Sequence, residues 1–152
     1  MTNVQGRDLQ DQPNLASAVF LDRDGVINAN RADHVLSWDQ FSFLPGALKG
    51  LSLLSSAVIP IIVVTNQAAI SKGLISVATL NDIHARMCAA ALAAGGSIFD
   101  VLYCPHLPSV NCSCRQPKPG LLQMAADKYY FDLTTSFYVG DALSDLAAGK
   151  AA

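Results

Sequence analysis

Apolar runs and short polar stretches divide the chain into alternating strands and helices. Ala18-Val19-Phe20-Leu21 reads as a buried strand, and Asp22-Arg23-Asp24-Gly25 follows it directly. Val58 to Val64 is a second, β-branched run that ends in Thr65-Asn66-Gln67. Phe99 to Tyr103 and Ser136 to Val139 are further strand candidates, the last ending in Gly140-Asp141. Helical spacing fills the gaps. Gly46 to Ser56 carries Leu48, Leu51, Leu53 and Leu54, and Val77 to Ala93 carries Leu80, Ile83, Met87, Cys88 and Leu92. Pro119 to Tyr130 opens with proline in its first turn, a good helix start. This order predicts an α/β fold, a Rossmann-like three-layer sandwich around a mostly parallel sheet. Such a sheet gathers its ligand-binding loops at the carboxyl edge, so Asp22, Thr65 and Asp141 are expected to meet there.

Composition narrows the class. The chain has 152 residues, 51% of them hydrophobic, enough for one domain with a sizeable core. Ten basic and twelve acidic residues give a net charge of −2, which offers no polycationic footprint for nucleic acid and no charge-driven pull to a membrane. The longest apolar stretch, Ala57 to Val64, is too short to span a bilayer and contains Pro60. Met1 to Leu15 is mostly polar and lacks the apolar core of a signal peptide, so residues 1–15 read as a flexible tail before a domain over 16–152. A cytoplasmic protein, monomeric, is the expectation.

Two clusters carry chemistry. The carboxylates of Asp22 and Asp24 stand one residue apart at a strand end. One can attack an electrophile or hold a cation while the other moves a proton, although a solvated turn closed by Gly25 would look the same. Thr65-Asn66 can likewise be a strand-end turn, and Asp141 a helix cap. The second cluster is Cys104-x-His106-x₅-Cys112-x-Cys114. Three thiolates and an imidazole complete a tetrahedral Zn²⁺ set with no open position, which predicts a structural zinc-binding loop. Cys88 reads as a small core residue and His84 as a packed or surface histidine. His34 can contact a ligand or stand by.

Four motifs in order give this chain its resemblance to the haloacid dehalogenase superfamily. They are Phe20-Leu21-Asp22-Arg23-Asp24-Gly25-Val26-Ile27-Asn28, then Val63-Val64-Thr65-Asn66-Gln67 with Lys72-Gly73, then Cys114-Arg115-Gln116-Pro117-Lys118-Pro119-Gly120, then Tyr138-Val139-Gly140-Asp141 with Asp145. Within the superfamily the chain resembles the D-glycero-D-manno-heptose 1,7-bisphosphate phosphatases and the related histidinol phosphatases, over residues 17 to 150. The resemblance implies a small phosphorylated metabolite as partner, Asp22 as nucleophile and Asp24 as general acid and base. It implies Mg²⁺ held by Asp22, the Asp24 backbone carbonyl and Asp141. It places Thr65, Asn66, Gln67, Arg115, Gln116 and Lys118 around the phosphoryl group, and it places a zinc loop of the same form on Cys104, His106, Cys112 and Cys114. Asp145 is left as a supporting acid or a first-turn residue favoured by the helix dipole.

The chain departs from the pattern. Gln116 stands where the resembled phosphatases carry lysine, and losing that charge is expected to cost about 3 kcal/mol unless Lys118 reaches in. A slow enzyme is therefore expected. Ala142 stands where the heptose branch often has lysine. The resembled proteins continue past Ala152, so an edge element is expected to be missing and apolar surface exposed. No large cap is visible between the first acid loop and the second strand. The segment Ala29 to Trp38 and the zinc loop are left to shape an open site, with Trp38 and Phe41 as wall or core. Heptose bisphosphate is the first substrate expected, histidinol phosphate the second. A weakly active, zinc-braced phosphate-binding module is the rival of another class.

Overall fold

The computed structural model describes residues 16–152, so the expected tail at 1–15 lies outside the described residues. The strands are β1 (Val19–Leu21), β2 (Ile61–Asn66), β3 (Asp100–Cys104) and β4 (Phe137–Val139). The helices are α1 (Ala47–Ser56), α2 (Val77–Ala93), α3 (Gly120–Tyr129) and α4 (Leu143–Ala151). The sheet runs β3-β2-β1-β4 and every pairing is parallel.

Alternation along the central strands builds two cores. Val19, Leu21, Ile61 and Val63 face α1 and α2, where Leu51, Ile83, Met87 and Ala91 are buried. Phe20, Ile62 and Val64 face the other way, against Leu121, Leu122 and Ala125 of α3 and Ala148 of α4. Both faces are covered, which is why the strands are continuously apolar. The three-layer α/β sandwich expected from the sequence is the fold, with no large cap between β1 and β2. Trp38, Phe41 and Phe43 pack on one another there, with Trp38 stacked on Phe41 at 5.1 Å. Those aromatics belong to the core and not to a substrate wall.

One boundary differs from expectation. β2 begins at Ile61, not Val58, because Val58 turns into the left-handed region (φ +58) and Pro60 has no N–H to offer a ladder. The Pro60 carbonyl still accepts from the Val19 N–H at 2.9 Å. The apolar stripes of α1 and α2 are wider than the faces they bury, so Leu53 and Leu92 point to solvent. At the other side β4 is an edge strand among the described residues, and Phe137 (71% exposed) and Leu143 (85%) are open to solvent.

Candidate functional site

Register brings the strand ends together. Leu21 pairs with Val63 on one side and Val139 on the other, so the residues just beyond share one edge. The Asp22 N–H donates to the Val139 carbonyl at 2.9 Å, which extends the β1–β4 ladder into the loop. Asp22, Asp24, Thr65, Asn66, Gln67, Gln116, Asp141 and Asp145 all line one cleft of about 230 Å³. Asn30, Arg31, His34 and Val35 from the loop after β1 form its rim.

The floor of the cleft is a carboxylate cluster. Oxygens of Asp22, Asp141 and Asp145 lie within 4.8 Å of one another. Asp22 is buried and its Oδ1 has no hydrogen-bond partner. Burial, then repulsion from Asp145, Asp24 and Asp141, pushes the Asp22 carboxyl up to about 7. An unpaired buried oxygen among like charges is a place where a hard cation fits, and all-oxygen donors suit Mg²⁺. Asp141 reaches the cluster by lying directly over Gly25. A Cβ at position 25 would stand 1.9 Å from Asp141 Oδ2, and Gly25 also has φ +88. Asp145 enters from the first turn of α4, where its Oδ2 accepts from the Ala142 N–H at 3.0 Å. Its Oδ1 accepts from the Tyr138 hydroxyl at 3.2 Å.

Asp24 is held quite differently. Arg23 Nη2 donates to both of its oxygens at 2.9 Å. Asn28 Nδ2 donates to Oδ1 at 2.9 Å and Gln67 Nε2 to Oδ2 at 2.8 Å. Burial works to raise this carboxyl, but the Arg23 charge and the bonds from Arg23, Asn28 and Gln67 outweigh it and hold it below the usual value. Two acids one residue apart are thus driven in opposite directions, Asp22 by burial among like charges and Asp24 by its donors.

The remaining expected residues divide. Thr65 is buried, its hydroxyl accepting from Gln67 Nε2 at 3.0 Å. The Asn66 side chain pins the backbone of Gln116, accepting from its N–H at 3.2 Å. Gln116 lines the cleft and donates to the Tyr138 hydroxyl. Arg115 and Lys118 are placed outside the lining of the cleft. Arg115 Nη1 donates to the His106 carbonyl at 3.1 Å. Lys118 Nζ donates to the Asn111 carbonyl at 2.7 Å and to its side-chain oxygen at 2.6 Å. The Lys118 ammonium is thus engaged by Asn111 and not directed at Gln116. Both cations brace the cysteine loop instead. His34 does face the cleft, and its Nε2 accepts from Lys72 Nζ at 2.9 Å.

Sequence reading left Asp145 open and gave no role to Arg23, Asn28 or the His84 beside them. His84 is buried among the stripe Leu80, Ile83, Met87 and Ala91, a periodicity that carried the signal.

The Cys/His loop closes on itself. Cys104, His106, Cys112 and Cys114 present ligand atoms within 4.8 Å of one another. Neighbouring donors are 3.2 to 3.5 Å apart. Zinc bonds of about 2.3 Å to sulfur and 2.0 Å to nitrogen would set tetrahedral donors about 3.5–3.8 Å apart. The set can hold a metal, and its soft donors suit zinc.

A 7-phosphatase for D-glycero-β-D-manno-heptose 1,7-bisphosphate from Pseudomonas aeruginosa is 38% identical over 135 residues, covering 89% of this chain and 76% of the relative. The enzyme for the α-anomer from Mycobacterium tuberculosis is 43% identical, covering 84% and 68%. The crystal structure of the D,D-heptose 1,7-bisphosphate phosphatase from B. bronchiseptica, complexed with magnesium and phosphate, superposes with a TM-score of 0.85 at 40% identity, covering 89% of this chain and 76% of that one. A family profile described as polynucleotide kinase 3 phosphatase matches residues 18–151. The chain belongs to the polynucleotide kinase 3 phosphatase family, among the HAD-like phosphatases that include the heptose-1,7-bisphosphate 7-phosphatases.

Proposed function

We propose that this phosphatase removes the 7-phosphate of D-glycero-D-manno-heptose 1,7-bisphosphate through an aspartyl phosphate on Asp22. The observation that carries the reading is the opposite treatment of the two acids. Asp22 keeps a bare oxygen in the carboxylate cluster, whereas both oxygens of Asp24 are aimed by donors.

In the first step an Asp22 oxygen bonds to phosphorus and the ester P–O bond breaks. The departing alkoxide takes a proton from Asp24. Asp24 is ionised at rest, so that proton arrives with the monoanionic ester, whose second pKa is about 6. In the second step water attacks phosphorus, Asp24 takes its proton, and the bond to Asp22 breaks. Thr65 and the Asn66 N–H hold phosphoryl oxygens. Asp22, Asp141, Asp145 and the Asp24 carbonyl would hold Mg²⁺, which when bound offsets carboxylate charge that otherwise repels a phosphate dianion. Zinc in the cysteine loop is structural.

The rim supports the substrate choice. Lys72 brings positive charge to His34 at the rim, where a second phosphate can sit, while the Arg31 charge is paired with Asp33. Histidinol phosphate, the second reading, has no second phosphate for Lys72 to meet, although the five-residue spacing from His106 to Cys112 resembles that branch.

The test is phosphate release by the purified chain with Mg²⁺ from the heptose bisphosphate (both anomers) and from histidinol phosphate. The bisphosphate is expected to be preferred at least tenfold in kcat/KM, and Asp22→Asn to abolish release and beryllofluoride binding. Preference for histidinol phosphate overturns the substrate. Phosphate binding without turnover of either overturns the enzyme reading in favour of a binding module.

A further inference from the structure

Arg23 is the largest fully buried side chain in the described structure, at 1% exposure, and it carries a charge. Burial of a guanidinium is costly unless its donors are matched. One end is matched by Asp24, which Nη2 contacts on both oxygens. The other end faces His84, with Nη1 3.1 Å from Nε2 across 61 residues of chain. The Nε between them has no partner. The guanidinium therefore hangs between one carboxylate from the β1 loop and one imidazole from α2.

Arginine has only donors, so His84 Nε2 is the acceptor. The imidazole is neutral and carries its proton on Nδ1. Burial, and then the Arg23 charge, agree by holding its pKa down to about 3. A planar fork held at both ends has a fixed plane. Released at Nη1, it turns about its stem, and Asp24 loses the one donor that grips both its oxygens, keeping a single bond each from Asn28 and Gln67.

We infer that His84 is a positioning residue, which fixes the plane of Arg23 and through it aims the Asp24 carboxylate at the leaving oxygen. The inference rests on Asp24 as the group that hands over the proton. It predicts something simple packing does not. An ill-aimed proton carrier harms substrates whose leaving oxygen needs a proton and spares those whose leaving group departs as an anion.

The experiment compares kcat/KM with Mg²⁺ on an alkyl phosphate, the heptose bisphosphate or glycerol phosphate, and on p-nitrophenyl phosphate. His84→Leu keeps an apolar side chain but no acceptor. It is expected to lose at least 30-fold on the alkyl ester and under threefold on the nitrophenyl ester. His84→Gln, whose amide oxygen can accept from Nη1, is expected to return the alkyl rate to within threefold of wild type. Should His84→Leu not fold, Arg23→Lys keeps the charge, breaks the bridge, and is expected to show the same split. Equal losses on both esters, or no loss on either, overturn the inference. A wild type inactive on both esters overturns instead the phosphatase reading beneath it.

Discussion

The Cys/His loop and the acidic cleft are both clusters of metal-ligating groups, but they are assembled in opposite ways. The loop draws its four donors from eleven consecutive positions, 104 to 114, and two of its supports, Arg115 and Lys118, lie just beyond that stretch. The cleft draws on Asp22 from one end of the described chain and on Asp141 and Asp145 from the other. Local clustering makes a brace that costs little chain entropy to close. Distant clustering makes a site that exists only when β1 and β4 lie side by side, so fold stability is spent holding like charges together. The loop should therefore matter chiefly to stability, and the cleft chiefly to turnover.

The sharpest way to break that contrast is a pair of substitutions. Asp141→Asn is expected to lower kcat at least 100-fold, while the Tm in metal-free buffer stays level or rises, because one repelling carboxylate is gone. Cys112→Ser is expected to lose one equivalent of zinc and to lower the Tm by roughly 10 °C. Metal analysis beside calorimetry decides it. A Cys112→Ser protein with unchanged Tm, or an Asp141→Asn protein that melts early with full activity, would erase the distinction.

A smaller effect tests the cleft's missing cation. Gln116 lies between the Asn66 side chain and Tyr138, itself bonded to Asp145. Gln116→Lys places an ammonium there and is expected to raise kcat about tenfold, or ~1.4 kcal/mol of barrier. Lys118→Ala is expected to change kcat less than twofold, since its ammonium is engaged by Asn111. Steady-state rates of the two variants would reverse this assignment if Lys118→Ala proved the more damaging.

The smallest effect is a pH slope. His84 is held near 3 in the fold, against 6.5 for the free side chain. Below about 6.5 the unfolded chain binds a proton that the folded chain refuses. The stability contribution is thus fully present above 6.5 and is lost as pH falls toward 3, at up to about 1.4 kcal/mol per unit. Asp22, raised from 3.8 to about 7, takes up a proton in the fold over the same window and opposes this slope. The imidazole's share is therefore read as a difference: between pH 6.5 and 4.5 the urea midpoint of the wild type should fall relative to that of His84→Gln.

The same contrast explains what was legible in the sequence. A local ligand set writes its spacing into the chain, so Cys104, His106, Cys112 and Cys114 could be grouped before any fold was known. The strand-end acids could be placed because parallel strands share an edge. What sequence could not carry was direction. Lys118 and Gln116 are two residues apart, and only the backbone path decides that the glutamine faces the cleft while the lysine bonds to Asn111. His84 sat in a visible apolar stripe, but its meaning depends on Arg23 arriving from β1. The start of β2 is masked in the sequence because Val58 and Ile59 are β-branched, and the turn at Val58 outweighs that preference.

The closeness of Gly25 to Asp141 has a consequence for inheritance. Alanine is the smallest side chain that can replace glycine, and its single methyl would already occupy the space of the Asp141 carboxylate. Mutational drift at position 25 therefore has no gentle first step. Any substitution there evicts an acid more than a hundred positions away, and in a genetic screen it would score as a lesion in the cleft while every donor group remained encoded.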